Sequence, residues 1–275
     1  MTRIARHNGT LMIGNSQGFV PISASGVQAS TTAELLSLAA RDELPNPKEA
    51  TATPVSPNDL TLQSPFDEYG KLWGIGLNYK DHAADLNEQH PDEPASFMKP
   101  RTTAVGPDGP IRLPPSEITD RVTAEAELGV VIGRTGKDLD QDEVTDAIAG
   151  YVPIIDMTAE DILEKNPRFL TRSKSFDSFL VFGPWITTLD SISNEQDITV
   201  QTTVNGTERA SNQINQMMMP PKELVQFHSE VMTLQPGDVI STGTPGAHPI
   251  ESGDTVTANI QQLGSVTTPV VGSSR

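Results

Sequence analysis

The sequence predicts an α+β protein that is mainly β, with a small N-terminal α/β unit ahead of a larger mixed β domain. Three observations carry this expectation. Short apolar runs bounded by Gly, Pro and Asp recur along the chain. Helical periodicity is confined to a few stretches, and strand and helix do not alternate over many cycles as a doubly wound sheet requires.

In chain order, residues 10–13 and 18–22 read as a hairpin, and residues 31–41 (TTAELLSLAAR) as a helix capped by Thr31 or Thr32. Pro45, Pro47, Pro54 and Pro57 then interrupt a segment without periodicity, which reads as a linker. Residues 1–64 are therefore expected to form the small unit and 65–275 the larger domain. Strands are expected over 72–77, 122–133 and 151–155, with helices beginning at Asp81 and spanning 142–149. The clearest late helix is 221–233, where Leu224, Val225, Phe227, His228, Val231 and Met232 are spaced for one buried face. Two Gly-Asp turns, at Gly237-Asp238 and Gly253-Asp254, each lead into a strand.

At 275 residues and 36% hydrophobic, the chain is long enough to bury a normal core. It has no cysteine, which excludes disulfides, thiolate metal sites and a cysteine nucleophile, so any metal must use oxygen or imidazole ligands. A formal charge of −17, from 19 basic and 36 acidic residues, argues against nucleic-acid and anionic-membrane partners. That acidity reads as a solvated surface, with adaptation to high salt as a further reading. No run approaches the length of a membrane span and the start has no apolar signal-like stretch, so the expected location is cytoplasmic. An enzyme of this charge acting on an anion needs local positive charge.

The segment 122–133 (VTAEAELGVVIG) alternates: Glu125, Glu127, Gly129 and Val131 fall on one face, and Ala124, Ala126, Leu128, Val130 and Ile132 on the other. Carboxylates two apart on a strand can converge on one cation, whereas two such inward charges repel when nothing positive lies between them. Asp156, at the end of the next apolar strand, is positioned to supply a third ligand. Taken alone, the E-x-E pair would read as two solvated glutamates on a half-exposed strand. Three hard oxygen ligands would select Mg²⁺, with Mn²⁺ or Ca²⁺ as alternatives.

Eight short motifs occur in order between residues 72 and 271: GLNYKDH (76–82), FMKP (97–100), EAE (125–127), DMTA (156–159), KSFD (174–177), GPW (183–185), PGDVI (236–240) and TGTP (242–245). In this series the chain resembles the fumarylacetoacetate hydrolase family. The resemblance implies a mixed β-sandwich roll, a bound Mg²⁺ or Mn²⁺, a homodimer, and a small-molecule 2-oxo or dioxo acid as substrate. It implies Glu125, Glu127 and Asp156 as metal ligands, His82 as general base with Asp85 orienting it, and Lys174 beside the substrate oxygens. Tyr79, Lys99, Arg172 and Thr244 fall among the implied substrate contacts, and Gly243 would free backbone N–H groups for a carboxylate.

Two positions depart from the pattern. Family members acting on acylpyruvates carry Arg and Gln four and seven residues after the third ligand; this chain has Glu160 and Leu163. An acid cannot pair with a substrate carboxylate and leucine cannot donate a hydrogen bond. Arg168 and Arg172 lie nearby as candidates to compensate, and the acid-rich run 85–93 is a candidate lid. Three functions stay open: a hydrolase cleaving a carbon–carbon bond in a 2,4-dioxo acid, a decarboxylase, dehydratase or tautomerase using the same enolate, and an inactive metal-containing binding protein.

Overall fold

A computed structural model of the chain describes residues 2–80, 93–192 and 194–273. Its strands are β1 Arg3–His7, β2 Thr10–Asn15, β3 Gly18–Pro21, β4 Leu62–Gln63, β5 Leu72–Gly76, β6 Ala95–Lys99, β7 Ala104–Val105, β8 Ile111–Arg112 and β9 Val122–Ile132. They continue as β10 Ile148–Ala159, β11 Leu180–Phe182, β12 Trp185–Thr188, β13 Thr199–Val204, β14 Thr207–Gln213, β15 Val239–Ser241, β16 His248–Ile250, β17 Thr255–Ile260 and β18 Gly264–Val271. The fold is mainly β, as expected. The large sheet runs β3-β2-β1-β12-β10-β9-β15-β5-β6 and the small one β14-β13-β17-β18-β8. Both are mixed: β15 and β5 pair parallel, as do β18 and β8, while most other neighbours are antiparallel.

The long central pair β9 and β10 organises the molecule. Ala124, Ala126, Leu128, Val130 and Ile132, all fully buried, share one core with Val200, Val256, Ala258, Ile260 and Val266 of the small sheet. Each fully buried Val, Leu or Ile contributes about 1.5–3 kcal/mol, so this shared core holds the two sheets together. The opposite face of β9 is buried too: Val131 joins Val152, Ile154 and Phe182 in a second core. Strand β9 is thus buried on both faces.

Residues 1–64 are bonded into the same sheet and the same second core. Strand β1 pairs with β12, placing Ile4 opposite Ile186, and Ile4, Ile13, Leu35 and Leu36 pack with Val131 and Ile154. The expected hairpin forms between β2 and β3. The expected helix spans Thr32–Ala39 with Thr31 as its cap, in a box closed by Glu34.

Three sequence expectations are adjusted. The strand expected at 151–155 extends over Ile148–Ala159, because its neighbours on both sides pair with β9, and the helix before it ends at Ala147. The late helix spans Pro221–Val231; Leu224, Val225 and His228 are buried, whereas Val231 is 56% exposed at the helix end and Phe227 is half-buried. The helix expected from Asp81 lies outside the described residues. Asp238, in the first Gly-Asp turn, is buried and accepts from the amides of Lys71 and Gln235, each at 2.7 Å, so this turn clamps β15 to the start of β5.

His228 packs its ring on Trp73, donates from Nδ1 to the Leu224 carbonyl at 2.7 Å, and accepts at Nε2 from Ser96 Oγ at 2.8 Å. Burial holds its pKa below the ordinary histidine value. The unfolded chain therefore binds the extra proton first, so the stability His228 contributes is complete above the unfolded pKa of about 6.5 and is lost as pH falls toward the lower folded value. Denaturant titrations from pH 7.5 to 5.5 are expected to show falling stability in the wild type and a flatter profile in His228→Gln.

Candidate metal centre and active site

The antiparallel register sets Asp156 directly opposite Glu125 and Ile154 opposite Glu127. Opposed residues project from the same face of a sheet, so the three acids converge from one face of the β9–β10 ladder, away from the sandwich core. One carboxylate oxygen from each lies within 4.8 Å of the others, and all three residues are buried.

Each carboxylate is held by named donors. Lys174, closing the short helix Leu170–Lys174, donates from Nζ to Glu125 Oε2 at 2.9 Å and Asp156 Oδ2 at 2.8 Å. Lys99, the last residue of β6, donates to Asp156 Oδ1 and, at 2.8 Å, to the Phe179 carbonyl. Glu127 Oε2 accepts from Ser241 Oγ at 2.6 Å and from the Gly243 amide at 3.0 Å. Glu125 Oε1 accepts from Thr158 Oγ1 and, at 3.4 Å, from Thr123 Oγ1.

The electrostatics follow from this crowding. Burial, then the charge of Asp156, pushes the Glu127 carboxyl well above the ordinary carboxylate range. Burial acts the same way on Asp156, but Lys174 and Lys99 outweigh it and hold that carboxyl low. Burial lowers the Lys99 pKa, whereas at Lys174 the same tendency is overcome by Asp156 and Glu125 and the pKa is raised. With all three carboxylates ionised against two ammonium groups the buried site would carry one negative charge, an arrangement that is unfavourable without a further cation and that the raised Glu127 pKa resists.

The donor set fits a hard divalent cation. Only oxygen ligands are offered, and both protein donors to Glu127 fall on Oε2, leaving Oε1 to face an ion. One ligand oxygen from each acid lies within 4.8 Å of the others, a spacing from which the three side chains can close on one shared ion. The Tyr79 hydroxyl is fully buried and, among the described residues, has no hydrogen-bond partner. Burial and the Glu127 charge raise its pKa, so it stays protonated at neutral pH and can donate to a ligand.

The loop carrying Tyr79 is fixed by a residue that sequence reasoning passed over. Asn78 Nδ2 donates to the carbonyls of Met219 and Thr242 at 3.0 and 2.7 Å, and its Oδ1 accepts from the Met219 amide at 2.9 Å. Beside it Leu77 takes a left-handed backbone, φ 57°, uncommon for a bulky side chain. Gly243, φ +91°, comes so close that an added Cβ would stand 2.9 Å from the Ile75 carbonyl and 3.0 Å from Asn78 Cβ.

Of the residues singled out in the sequence, Glu125, Glu127, Asp156, Lys174 and Lys99 meet in one cluster. Lys99, expected at the substrate, is fully enclosed and spends its ammonium on Asp156 and Phe179. Thr244 is buried and turns its hydroxyl on Gly246, while the Gly243 amide expected to bind substrate donates to Glu127. Arg168 and Arg172 are exposed and take no part in these contacts. His82 and Asp85 lie outside the described residues, as does nearly all of the acidic run that ends at Glu93. Ser241, Thr158 and Thr123 were missed; simple alternation from Gly243, Asp156 and Glu125 places each on the site face.

Residues 71–271 match the family model for the fumarylacetoacetate (FAA) hydrolase C-terminal region. The chain belongs to the fumarylacetoacetate hydrolase family. Within it, the chain is 35% identical over 226 residues to a mitochondrial oxaloacetate tautomerase of Xenopus laevis, covering 79% of this chain and 70% of that one. It is 32% identical over 250 residues to a 2,4-didehydro-3-deoxy-L-rhamnonate hydrolase of a Sphingomonas species, covering 88% and 85%. The crystal structure of a maleylpyruvate hydrolase from Sphingobium, in complex with manganese(II) and pyruvate, superposes with a TM-score of 0.80 at 26% identity, covering 99% of this chain and all of that one. Family relatives thus include hydrolases and a tautomerase. No described helix is long and apolar enough to cross a membrane.

Because the Asn78 side chain makes three hydrogen bonds, one buried and two part-buried, Asn78→Ala leaves carbonyls and an amide unpaired. Chemical denaturation is expected to register a loss of about 2–4 kcal/mol.

Proposed function

We propose that this chain is a divalent-metal-dependent hydrolase that cleaves a carbon–carbon bond in a 2,4-dioxo acid. The observation that carries the reading is the buried triad Glu125, Glu127 and Asp156 with the Lys174 ammonium across two of its members. The triad would hold Mg²⁺ or Mn²⁺, with Ca²⁺ as a third candidate, and the related Sphingobium hydrolase with manganese(II) and pyruvate supports that choice. When bound, the ion would supply Lewis-acid stabilisation of negative charge on a carbonyl oxygen.

The residues of the chain then divide the work. Lys174 keeps Glu125 and Asp156 in place and holds positive charge beside the reacting oxygens. Lys99 fixes Asp156 from the opposite side. Tyr79 offers a proton donor whose pKa forbids it to act as a base. In this reading His82, supported by Asp85, takes a proton from water as its oxygen joins the distal carbonyl carbon. The bond between C3 and C4 breaks, its electron pair passes to C3 as an enolate, and protonation at C3 gives the shortened 2-oxo acid beside a carboxylic acid. A cytoplasmic homodimer completes the proposal.

A second reading draws on the oxaloacetate tautomerase relative: the same enolate can form by proton transfer alone, without carbon–carbon cleavage. Incubation with an acylpyruvate separates them. The hydrolase reading expects pyruvate and a free acid in equal amounts, and a shift in tautomer ratio without an acid fragment would overturn it. His82→Ala is expected to lower kcat by about 10²–10⁴-fold. Glu127→Gln is expected to lower bound Mg²⁺ or Mn²⁺ measured by elemental analysis, and unchanged stoichiometry would count against the metal site.

A further inference from the structure

The chain has eight methionines and no cysteine, so a thioether is the only sulfur it offers to an oxidant. Three of the eight, Met217, Met218 and Met219, are consecutive, and they sit where the loop beyond β5 is held. Tyr79 forms a bridge with Met217. The Met218 amide donates to the Asn78 carbonyl at 2.7 Å, the Met219 amide donates to Asn78 Oδ1 at 2.9 Å, and Asn78 Nδ2 donates to the Met219 carbonyl at 3.0 Å. The methionine run is thus the backbone latch of the loop that sets Tyr79 within the field of Glu127.

The side chains of this latch differ in access. Met217 is buried, whereas Met218 and Met219 are half-buried. Together with Ile75, Leu77 and Pro94 these two line a cavity of about 60 Å³ between the run and the loop. A water is held once about 10–15 Å³ of such space is free, so a molecule as small as hydrogen peroxide has room to enter. Met98, 39% exposed on β6, and half-buried Met232, just past the late helix, lie outside the latch, and Met12 and Met157 are enclosed.

We propose that Met218 and Met219 form a peroxide-modification site whose oxidation releases the Tyr79 loop. In the step, a sulfur lone pair bonds to one oxygen of hydrogen peroxide as the O–O bond breaks. The departing hydroxide takes the proton from the oxygen left on sulfur, so sulfur is oxidised to the sulfoxide and the peroxide is reduced to water. The sulfoxide oxygen is an acceptor set among the side chains of Ile75, Leu77 and Pro94, which cannot donate to it. Its demand for water opposes the packing that keeps the run against the loop. A methionine sulfoxide reductase reverses the step, so the release is reversible. This goes beyond the hydrolase reading, because Tyr79 is displaced whichever enolate reaction the site performs.

The test treats the full chain with graded hydrogen peroxide, then measures sulfoxide at each methionine by peptide mass spectrometry and amide exchange at Met218 and Met219 in the same samples. Sulfoxide at 218 and 219 is expected ahead of that at Met12 and Met157, and exchange at the two amides is expected to quicken about tenfold in step with it. Treatment with methionine sulfoxide reductase should restore slow exchange. Two variants bracket the wild type. Met218→Leu combined with Met219→Leu keeps volume and apolar character and should hold exchange flat under peroxide, while Met98→Leu should respond as the wild type does. If the double variant fails to fold, the wild-type series with its reductase step decides. The proposal is overturned if 218 and 219 stay unoxidised while Met98 converts fully, or if their oxidation leaves exchange unchanged. It is equally overturned if exchange stays fast once the sulfoxide is removed, or quickens as much in the double variant.

Discussion

Three buried carboxylates on one face of a two-stranded ladder impose the constraint that the rest of the site answers. Like charges this close cannot all stay ionised in a low-dielectric interior without positive charge beside them. The structure meets this from outside the ladder: Lys99 arrives at the end of β6 and Lys174 at the end of a short helix, and both ammonium groups close on Asp156. Ser241 and the Gly243 amide restrain Glu127, the acid with no lysine donor, and its raised pKa marks where positive charge is still lacking.

Holding that cluster requires a rigid platform, and β9 provides it through burial on both faces. Its even-numbered side chains lock the small sheet in place, and Val131 packs against a core to which the N-terminal strands and first helix contribute. The first 64 residues thereby stiffen the strand that carries two of the acids. The loop beyond β5 is tied down by Asn78, which bonds the 219 and 242 backbones together and sets Tyr79 against the acids. Strained Leu77 and the close approach at Gly243 are local consequences of bringing these loops together. The site therefore lies where sheet, helix and two loops meet.

Much of this was legible in the sequence. Alternation over 122–133 put Glu125 and Glu127 on one face, Thr31 and Glu34 marked a helix start, and the ordered motifs picked out Asp156, Lys174 and Lys99. The same alternation carried two residues further reaches Thr158, Thr123 and Ser241, so these were readable but unread. Arg121 could not be found this way. Its ion pair with Glu160 depends on the partner strand placing the two side by side, and by spacing alone the sequence pointed to Arg168 and Arg172 instead.

The sequence by itself determined which side chains share a face, because the period of a strand is a local property of the backbone. It also determined the chemistry available, since a chain without cysteine and with an E-x-E strand can offer a cation only oxygen or imidazole. Only the tertiary structure decided which of those faces meet. Register across β9 and β10, the docking of Lys99 and Lys174 on Asp156, and the diversion of the Gly243 amide to Glu127 are contacts between residues far apart in the chain. They are set by the packing of two cores against one strand, which no local pattern encodes.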